Sequence, residues 1–135
     1  MDTYAEPDAV TLSKKLRVIF SSLDPNHPPP LCPIRDVFAP VSDRWSVLVL
    51  IFLGIESPLR FSALKRLVYG VTPKVLTQRL RELEAEGYLT RTVTVGVPVQ
   101  VDYSLTPLGR SFLERCLGLF AWLEEQRTLR LAQAP

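Results

Sequence analysis

The spacing of apolar residues changes along the chain and predicts the order of its elements. Apolar residues recur every three or four positions over residues 9–23, which predicts an amphipathic helix. Prolines within residues 24–30 break this period, because proline cannot continue a helix. Helical spacing returns after residue 32, and from Val99 to Leu105 apolar and polar residues alternate as in a half-buried strand. The pattern therefore predicts a mainly α-helical protein with a small antiparallel β-hairpin.

Capping residues set the boundaries of the predicted helices. Asp43, Thr72 and Thr106 each precede a helical segment, and their side-chain oxygens can accept N–H groups of the first turn. Proline follows both threonines at the first helical position, where no N–H donor is needed. Gly54 and Gly87 are expected to close two of the helices. Beyond the proline-rich stretch, the predicted helices cover residues 33–39, 44–54, 61–68, 73–86 and 107–131.

A short turn joins two of these helices. Residues 69–71 connect segments 61–68 and 73–86, and two helices joined by a tight glycine-containing turn form a helix-turn-helix. Residues 88–95, rich in threonine and valine, are expected to pair with residues 99–105 as a hairpin. A hairpin directly behind the second helix predicts a winged helix-turn-helix.

The helix predicted over residues 73–86 has one apolar and one polar side. Its apolar side is expected to face the core and carries Leu76, Leu80 and Leu83. Its outward side carries Lys74, Thr77, Gln78 and Arg81. Cations, amides and hydroxyls are the groups that contact base edges and phosphates. Taken alone, this pattern equally fits an ordinary helix with a solvated face, but the preceding turn and following hairpin favour DNA binding.

Basic residues are concentrated in the same part of the chain. Residues 60–91 contain seven basic and three acidic residues, whereas the whole chain has a net charge of only +2. A basic segment between neutral or acidic flanks is typical of a nucleic-acid module, although a solvated helix face gives a similar pattern. The candidate DNA-contacting residues are Arg44, Arg60, Lys65, Thr72, Lys74, Thr77, Gln78, Arg81 and Arg91.

Several short motifs, in order and at matching spacing, resemble a known family. They are Cys32-Pro33, Arg44-Trp45, Arg60-Phe61 with Leu64, Thr72 through Leu83-Glu84, and Val101 through Thr106 with Gly109. Together they resemble the HxlR-type winged helix-turn-helix transcriptional regulators over about residues 32–125. The resemblance implies a cytoplasmic, bacterial homodimer that represses or activates a nearby promoter, with double-stranded DNA as its partner. It also implies that the second helix of the motif enters the major groove while the wing lies on the minor groove or backbone.

Two departures from the family pattern affect the expected DNA contacts. Ser42-Asp43 stands where the family often has two glycines, and Gln100 stands where it often has lysine. Arg91 is therefore the only cation of the predicted hairpin, and we expect the wing to contribute less phosphate affinity than in relatives. A winged-helix module that binds proteins instead of DNA is the alternative hypothesis.

Cys32 has a possible regulatory role. A thiol at a helix N-terminus, with Arg35 within one turn, has its thiolate stabilised. The resemblance implies that Cys32 senses oxidants or electrophiles, while an inert cysteine is the simpler interpretation. Cys116 is expected to be a core thiol. No cofactor, metal site or catalytic residues are expected, because His27 stands alone and no nucleophile–base pair is evident.

The terminal helices predict a homodimer. The last helix is apolar on more than one face, and a domain of this size cannot cover all of that surface within one copy. The candidate interface residues are Val10, Leu16, Ile19, Phe20, Phe112, Leu119, Phe120 and Leu123. We accordingly expect an N-terminal arm and linker over residues 1–31, a DNA-binding domain over 32–106 and a dimerisation helix over 107–135.

Composition excludes other classes of protein. The chain has 135 residues, 47% of them hydrophobic and 22% charged, which suits one folded domain and does not suit disorder. The longest apolar run covers residues 47–55, well short of the roughly 20 residues that span a bilayer. Acidic residues near the N-terminus do not fit a secretory signal. We therefore expect a soluble cytoplasmic protein without disulfides.

Overall fold

The structure, a computed structural model, describes residues 8–19, 41 and 43–133. The chain divides into two units, residues 1–39 and 40–135, which are described separately. In the first unit, α1 spans Ala9–Ile19, and the Asp8 carboxylate accepts hydrogen bonds from the backbone N–H and hydroxyl of Thr11. These bonds lower the pKa of Asp8. The predicted continuation of this helix, including Phe20, and the predicted helix at residues 33–39, including Cys32, lie outside the described residues.

The second unit contains the helix-turn-helix and its hairpin. Its elements in chain order are α2 (Arg44–Ile55), β1 (Leu59–Arg60), α3 (Phe61–Leu67), α4 (Pro73–Ala85), β2 (Leu89–Thr94), β3 (Gln100–Leu105) and α5 (Pro107–Gln133). The predicted fold class, mainly α with a small antiparallel sheet in a winged helix-turn-helix, is confirmed. Dimerisation through the terminal helices stays a prediction.

The sheet has three strands instead of the two that the sequence predicts. Strand order is β1-β3-β2, and both pairs are antiparallel. The added strand β1 is two residues long, with Leu59 opposite Tyr103 and Arg60 opposite Asp102. A two-residue strand is too short to show an alternating pattern, so the sequence does not reveal it. Because β1 directly precedes α3, it fixes the start of the helix-turn-helix to the base of the wing.

The core lies where α2, α3 and α4 meet the sheet. Leucine supplies most of it, and the fully buried large side chains are Leu50, Leu53, Leu64, Leu76, Leu83 and Leu89. Helix α2 is apolar nearly all round, as expected for a central helix. Within β3 the predicted alternation holds at Tyr103 and Leu105, which are buried, but Val99 precedes the strand and is exposed.

The predicted N-caps are confirmed by their hydrogen bonds. The Asp43 carboxylate accepts from the backbone N–H groups of Trp45 and Ser46 at the start of α2. The Thr72 hydroxyl oxygen accepts from Val75 N at 3.2 Å at the start of α4. The chain therefore begins α2 and α4 where its capping residues dictate.

Thr106 joins two elements. Its hydroxyl oxygen accepts from Gly109 N at 3.0 Å and donates to the Gly87 carbonyl at 2.6 Å, so one side chain caps α5 and binds the end of α4. Gly87 has a φ of +86°, the left-handed conformation predicted for it as the residue that ends α4.

The predicted role of Gly54 as a helix terminator is wrong. Helix α2 continues to Ile55, and Gly54 lies within it. A Cβ atom at Gly54 would lie 2.6 Å from Cδ1 of Leu113, a residue of α5. Gly54 therefore allows close packing of α5 on α2, which only the tertiary structure reveals.

Candidate nucleic-acid interface

Helix α4 is fixed to the core by one face. Leu76, Leu80 and Leu83 are buried, as the sequence predicts. The preceding turn contains Gly70, whose φ of +91° requires a residue without a side chain. Three anchoring leucines and a fixed turn leave α4 one possible outward face.

The polar residues predicted to face outward do so. Lys74, Gln78 and Arg81 are exposed, and Thr77 is half-buried beside them. Together with Pro73 and Glu82 they line an open depression of about 560 Å³ on the surface of α4. The side-chain N–H of Gln78 donates to Glu82 Oε1 at 3.3 Å, and the side-chain carbonyl oxygen of Gln78 takes no part in that hydrogen bond. The surface therefore presents two cations, an amide and a hydroxyl over about two helical turns, with the half-buried carboxylate of Glu82 at its edge.

Arg79 is held away from this surface by two carboxylates. Its Nε donates to Asp43 Oδ2 at 2.8 Å, and its Nη1 lies 3.2 Å from Glu82 Oε2. Partial burial lowers the pKa of Arg79, but the two carboxylates outweigh this effect and raise that pKa above its ordinary value. The charge of Arg79 is thus used within the protein, between α4 and the first turn of α2.

Arg44 lies in that first turn, on the surface. Its guanidinium carbon lies 4.4 Å from the ring centroid of Trp45, a cation–π contact. The Trp45 ring also packs beside the turn of the helix-turn-helix, 3.7 Å from where a Cβ of Gly70 would lie. The Arg44 side chain is therefore restrained before any ligand binds.

The wing carries few charges in contact with solvent. Arg91 on β2 is exposed. Arg60 on β1 faces Asp102, with Nε 3.8 Å from Oδ1, and its side chain remains 60% exposed. The tip of the hairpin is apolar, since Val95 and Val97 are almost completely exposed.

Thr72 and Lys65 are the two remaining candidate contacts. Thr72 is exposed at the N-terminus of α4, where its hydroxyl caps the helix. Lys65 on α3 is half-buried. Four of the nine predicted contacts, Lys74, Thr77, Gln78 and Arg81, therefore share one continuous surface. Thr72 caps the same helix, and the other four lie on neighbouring elements.

Comparison with known proteins gives the family. The model of the HxlR-like helix-turn-helix family matches residues 40–130. The chain belongs to the HxlR-like family. The HTH-type transcriptional regulator YtfH of Escherichia coli is 45% identical over 93 residues, which cover 69% of this chain and 73% of YtfH.

Solved structures of other regulators share the fold. The putative transcriptional regulator ytfH from Salmonella typhimurium aligns with a TM-score of 0.68 and 41% identity, over 78% of this chain and 93% of that one. The redox regulator HypR in its reduced form aligns with a TM-score of 0.66 and 31% identity, over 74% of this chain and 98% of that one. The resemblance found in the sequence is confirmed.

The candidate dimer residues of this HxlR-like chain differ in exposure. Leu119 and Leu123 on α5 are exposed, whereas Phe120 is half-buried. Phe112 packs edge-on against Tyr88, with ring centroids 5.6 Å apart, and so contributes within the protomer. Val10, Leu16 and Ile19 of α1 are exposed. Contact of these surfaces with a second copy of the chain stays a prediction.

The described residues contain no cluster of three or more metal-ligating side chains. No described helix is long and apolar enough to cross a membrane. Cys116 is half-buried on α5, so the predicted core position is only partly reached, and burial raises the pKa of its thiol.

Sequence reasoning missed two features of the candidate interface. The ion pair between Asp43 and Arg79 joins residues 36 positions apart, and no local pattern signals such a contact. The stacking of Arg44 on Trp45 involves neighbours, but one-residue spacing does not normally bring side chains on a helix together. Both features concern the first turn of α2.

Proposed function

We propose that this protein acts in the bacterial cytoplasm as a homodimeric, sequence-specific regulator of transcription, most simply a repressor, that binds double-stranded DNA at an inverted repeat. Helix α4 would enter the major groove, with Arg81 and Gln78 at base edges and Lys74 at a phosphate. The wing, through Arg91 and Arg60, would lie on the backbone.

One observation carries this proposal. Helix α4 buries three leucines and exposes on its opposite face a surface of cations, amide and hydroxyl without large apolar side chains. The only other cation of that helix, Arg79, is neutralised by Asp43 and Glu82. Lys74 and Arg81 are therefore left to interact with an external anion, and the N-terminus of α4 adds a favourable dipole for a phosphate.

A homodimer is supported by the surface of α5. Its 27 residues extend about 40 Å at 1.5 Å per residue, and Gly109 is the one buried residue among them. Leu113, Leu117 and Phe120 also line, together with Ile51 and Ile55, an open apolar groove of about 490 Å³. Exposed apolar surface of this extent is typical of an interface. A two-fold dimer would place two α4 helices about 34 Å apart, one turn of duplex.

We further propose that Cys32 makes DNA binding sensitive to oxidants or electrophiles. Its place before Pro33 in the sequence supports this role, as does the likeness to a protein described as the redox regulator HypR. Cys116 is a suitable control because burial raises its pKa and so lowers its thiolate fraction. Cys32→Ser should abolish the effect of a thiol oxidant on DNA affinity, whereas Cys116→Ser should retain it; equal responses of the wild type and Cys32→Ser would exclude Cys32.

The DNA-binding proposal is tested with one arginine variant, one lysine variant and a control. A binding sequence is first selected from a random duplex pool, and affinities for it and for an unselected duplex are measured across salt concentrations. Arg81→Ala should lose more affinity for the selected duplex than for the unselected one, by roughly 1–3 kcal/mol. Lys74→Ala should weaken both duplexes alike and reduce the salt slope by about one.

Arg130→Ala provides the matched control, since it removes the same charge from exposed α5. It should leave both affinities unchanged when size-exclusion chromatography shows the same oligomeric state as for the wild type. If Arg81→Ala binds the selected duplex as tightly as the wild type, the assignment of α4 to the major groove is wrong.

The exposed wing tip favours one alternative, a winged-helix module that binds proteins. Val95 and Val97 project from a hairpin tip without charge. Such a module would not shift an unselected duplex even at low salt, whereas the proposed regulator would, because nonspecific affinity comes from phosphate contacts.

A further inference from the structure

The first turn of α2 connects to α4 through a single carboxylate oxygen. Asp43 Oδ2 accepts from the backbone N–H groups of Trp45 and Ser46, at 3.1 and 3.2 Å, and from Arg79 Nε at 2.8 Å. Hydrogen bonds between charged groups are stronger and more directional than neutral ones. A shift of the N-terminus of α2 along α4 would break the bond to Arg79, while the two capping bonds within α2 would remain.

The same turn restrains an exposed arginine. Arg44 occupies the first position of α2, where the helix dipole disfavours a cation. The Trp45 ring lies 4.4 Å below its guanidinium carbon and itself packs beside Gly70, in the turn that precedes α4. The aromatic face therefore holds a cation at a place where the helix alone would not favour it.

We propose that residues 43–45 form a positioning device: Trp45 preorganises Arg44 as a phosphate contact, and Asp43, through Arg79, fixes this contact relative to the DNA-facing surface of α4. This inference rests on the proposed DNA binding. Arg44 and the surface of Lys74 and Arg81 lie on different helices, so their separation must match the spacing of the DNA groups that they contact. A side chain that is ordered before binding loses less conformational entropy when it binds.

The role of Trp45 is tested by a double-mutant cycle. Affinity for an unselected duplex is measured at low salt by fluorescence anisotropy for the wild type, Arg44→Gln, Trp45→Leu and the double variant. Arg44→Gln should weaken binding most. Trp45→Leu should weaken it by about two- to five-fold, the range expected for an exposed cation–π contact. The double variant should bind no more weakly than Arg44→Gln alone, because Trp45 acts through Arg44.

Two further variants separate positioning from folding. Trp45→Phe retains an aromatic face and should bind more tightly than Trp45→Leu, and circular dichroism shows which variants are folded. Losses that multiply in the double variant would overturn the role of Trp45, since a merely structural residue acts independently of Arg44.

The role of Asp43 is tested with Asp43→Asn and Arg79→Gln. Asparagine is as good an N-cap as aspartate, so this variant removes the charge and keeps the cap of α2. The double variant keeps the net charge of the wild type, because one change removes a negative charge and the other a positive charge, and it should bind about two- to five-fold more weakly than the wild type. Arg127→Gln, which breaks the exposed pair with Glu124 on α5, should leave affinity unchanged when size-exclusion chromatography shows the same oligomeric state as for the wild type.

The outcomes distinguish this inference from the function on which it rests. A wild type that binds no duplex at low salt overturns the proposed function. A wild type that binds, together with a double variant Asp43→Asn and Arg79→Gln of unchanged affinity, overturns only the positioning role of Asp43.

Discussion

Three glycines within helices provide a graded test of the packing. Alanine at each position adds one methyl group, and the structure gives different surroundings for it. At Gly109 the added Cβ would clash with the backbone oxygen of Tyr88, and at Gly54 it would lie 2.6 Å from the side-chain atom Cδ1 of Leu113. At Gly118 no heavy atom of the described residues lies within 4 Å, apart from its two chain neighbours and the nearby backbone of α5 itself. Gly54 and Gly118 thus differ from Gly109 in whether rigid backbone blocks the methyl group.

The expected changes in the free energy of unfolding follow from these distances. Gly118→Ala should stabilise the protein by up to about 1 kcal/mol, the difference in helix propensity. At Gly109 the obstructing carbonyl also accepts a bond from Thr106 N at 3.1 Å and cannot move without loss. Overpacking of this kind costs about 1–3 kcal/mol, so we expect Gly109→Ala to destabilise by about 2 kcal/mol. Gly54→Ala should fall between them, because the end of the Leu113 side chain can rotate away.

Urea denaturation followed by circular dichroism measures all three variants at one protein concentration. The predicted order of stability is Gly118→Ala, Gly54→Ala, then Gly109→Ala, with the first above the wild type and the last below it. If Gly118→Ala destabilises as much as Gly109→Ala, the inference that its surroundings are open is wrong. A Gly109→Ala variant as stable as the wild type would contradict the close contact between α5 and the residues that follow α4.

Three further predictions concern the core, a cap and a thiol. Thr106→Val should destabilise by about 1–3 kcal/mol, because it removes the cap of α5 and the bond to the Gly87 carbonyl, whereas Thr106→Ser should retain most of the stability in the same denaturation assay. Leu76→Ala should cost about 2–5 kcal/mol as a fully buried leucine, and a loss below 1 kcal/mol would contradict its place in the core. Alkylation of Cys116 by iodoacetamide should be slower than that of a free thiol at pH 8 and should rise with pH, because burial raises its pKa and the thiolate is the reactive form; equal rates would contradict that burial.

Local signals predicted the ends of most helices. Asp43, Thr72 and Thr106 act within three residues of themselves, so their caps depend little on the rest of the fold. Gly87 belongs to the same class, because the left-handed conformation at a helix end is a local requirement. The polar surface of α4 was also predictable, because the leucines on its other face are spaced for burial.

Features that depend on tertiary contacts were not predictable. Glycine is a common residue at the end of a helix, but the role of Gly54 is set by its contact with Leu113, on a helix distant in sequence. Strand β1 exists because Leu59 and Arg60 find partners on β3, more than 40 residues further along the chain. The position of Arg79 along α4 does not distinguish it from a solvent-exposed cation, and only the fold shows that it donates a hydrogen bond to Asp43. Pairings of this kind have no local signature.

The central claim, that the exposed face of α4 binds DNA, is tested most directly by mapping amide chemical shifts while a short duplex is added to the labelled protein. The account predicts that the largest changes fall on α4 around Lys74, Thr77, Gln78 and Arg81 and on the first turn of α2 at Arg44, and that they shrink as salt is raised. Changes confined to α5, or a spectrum that the duplex leaves unaltered at low salt, would contradict it.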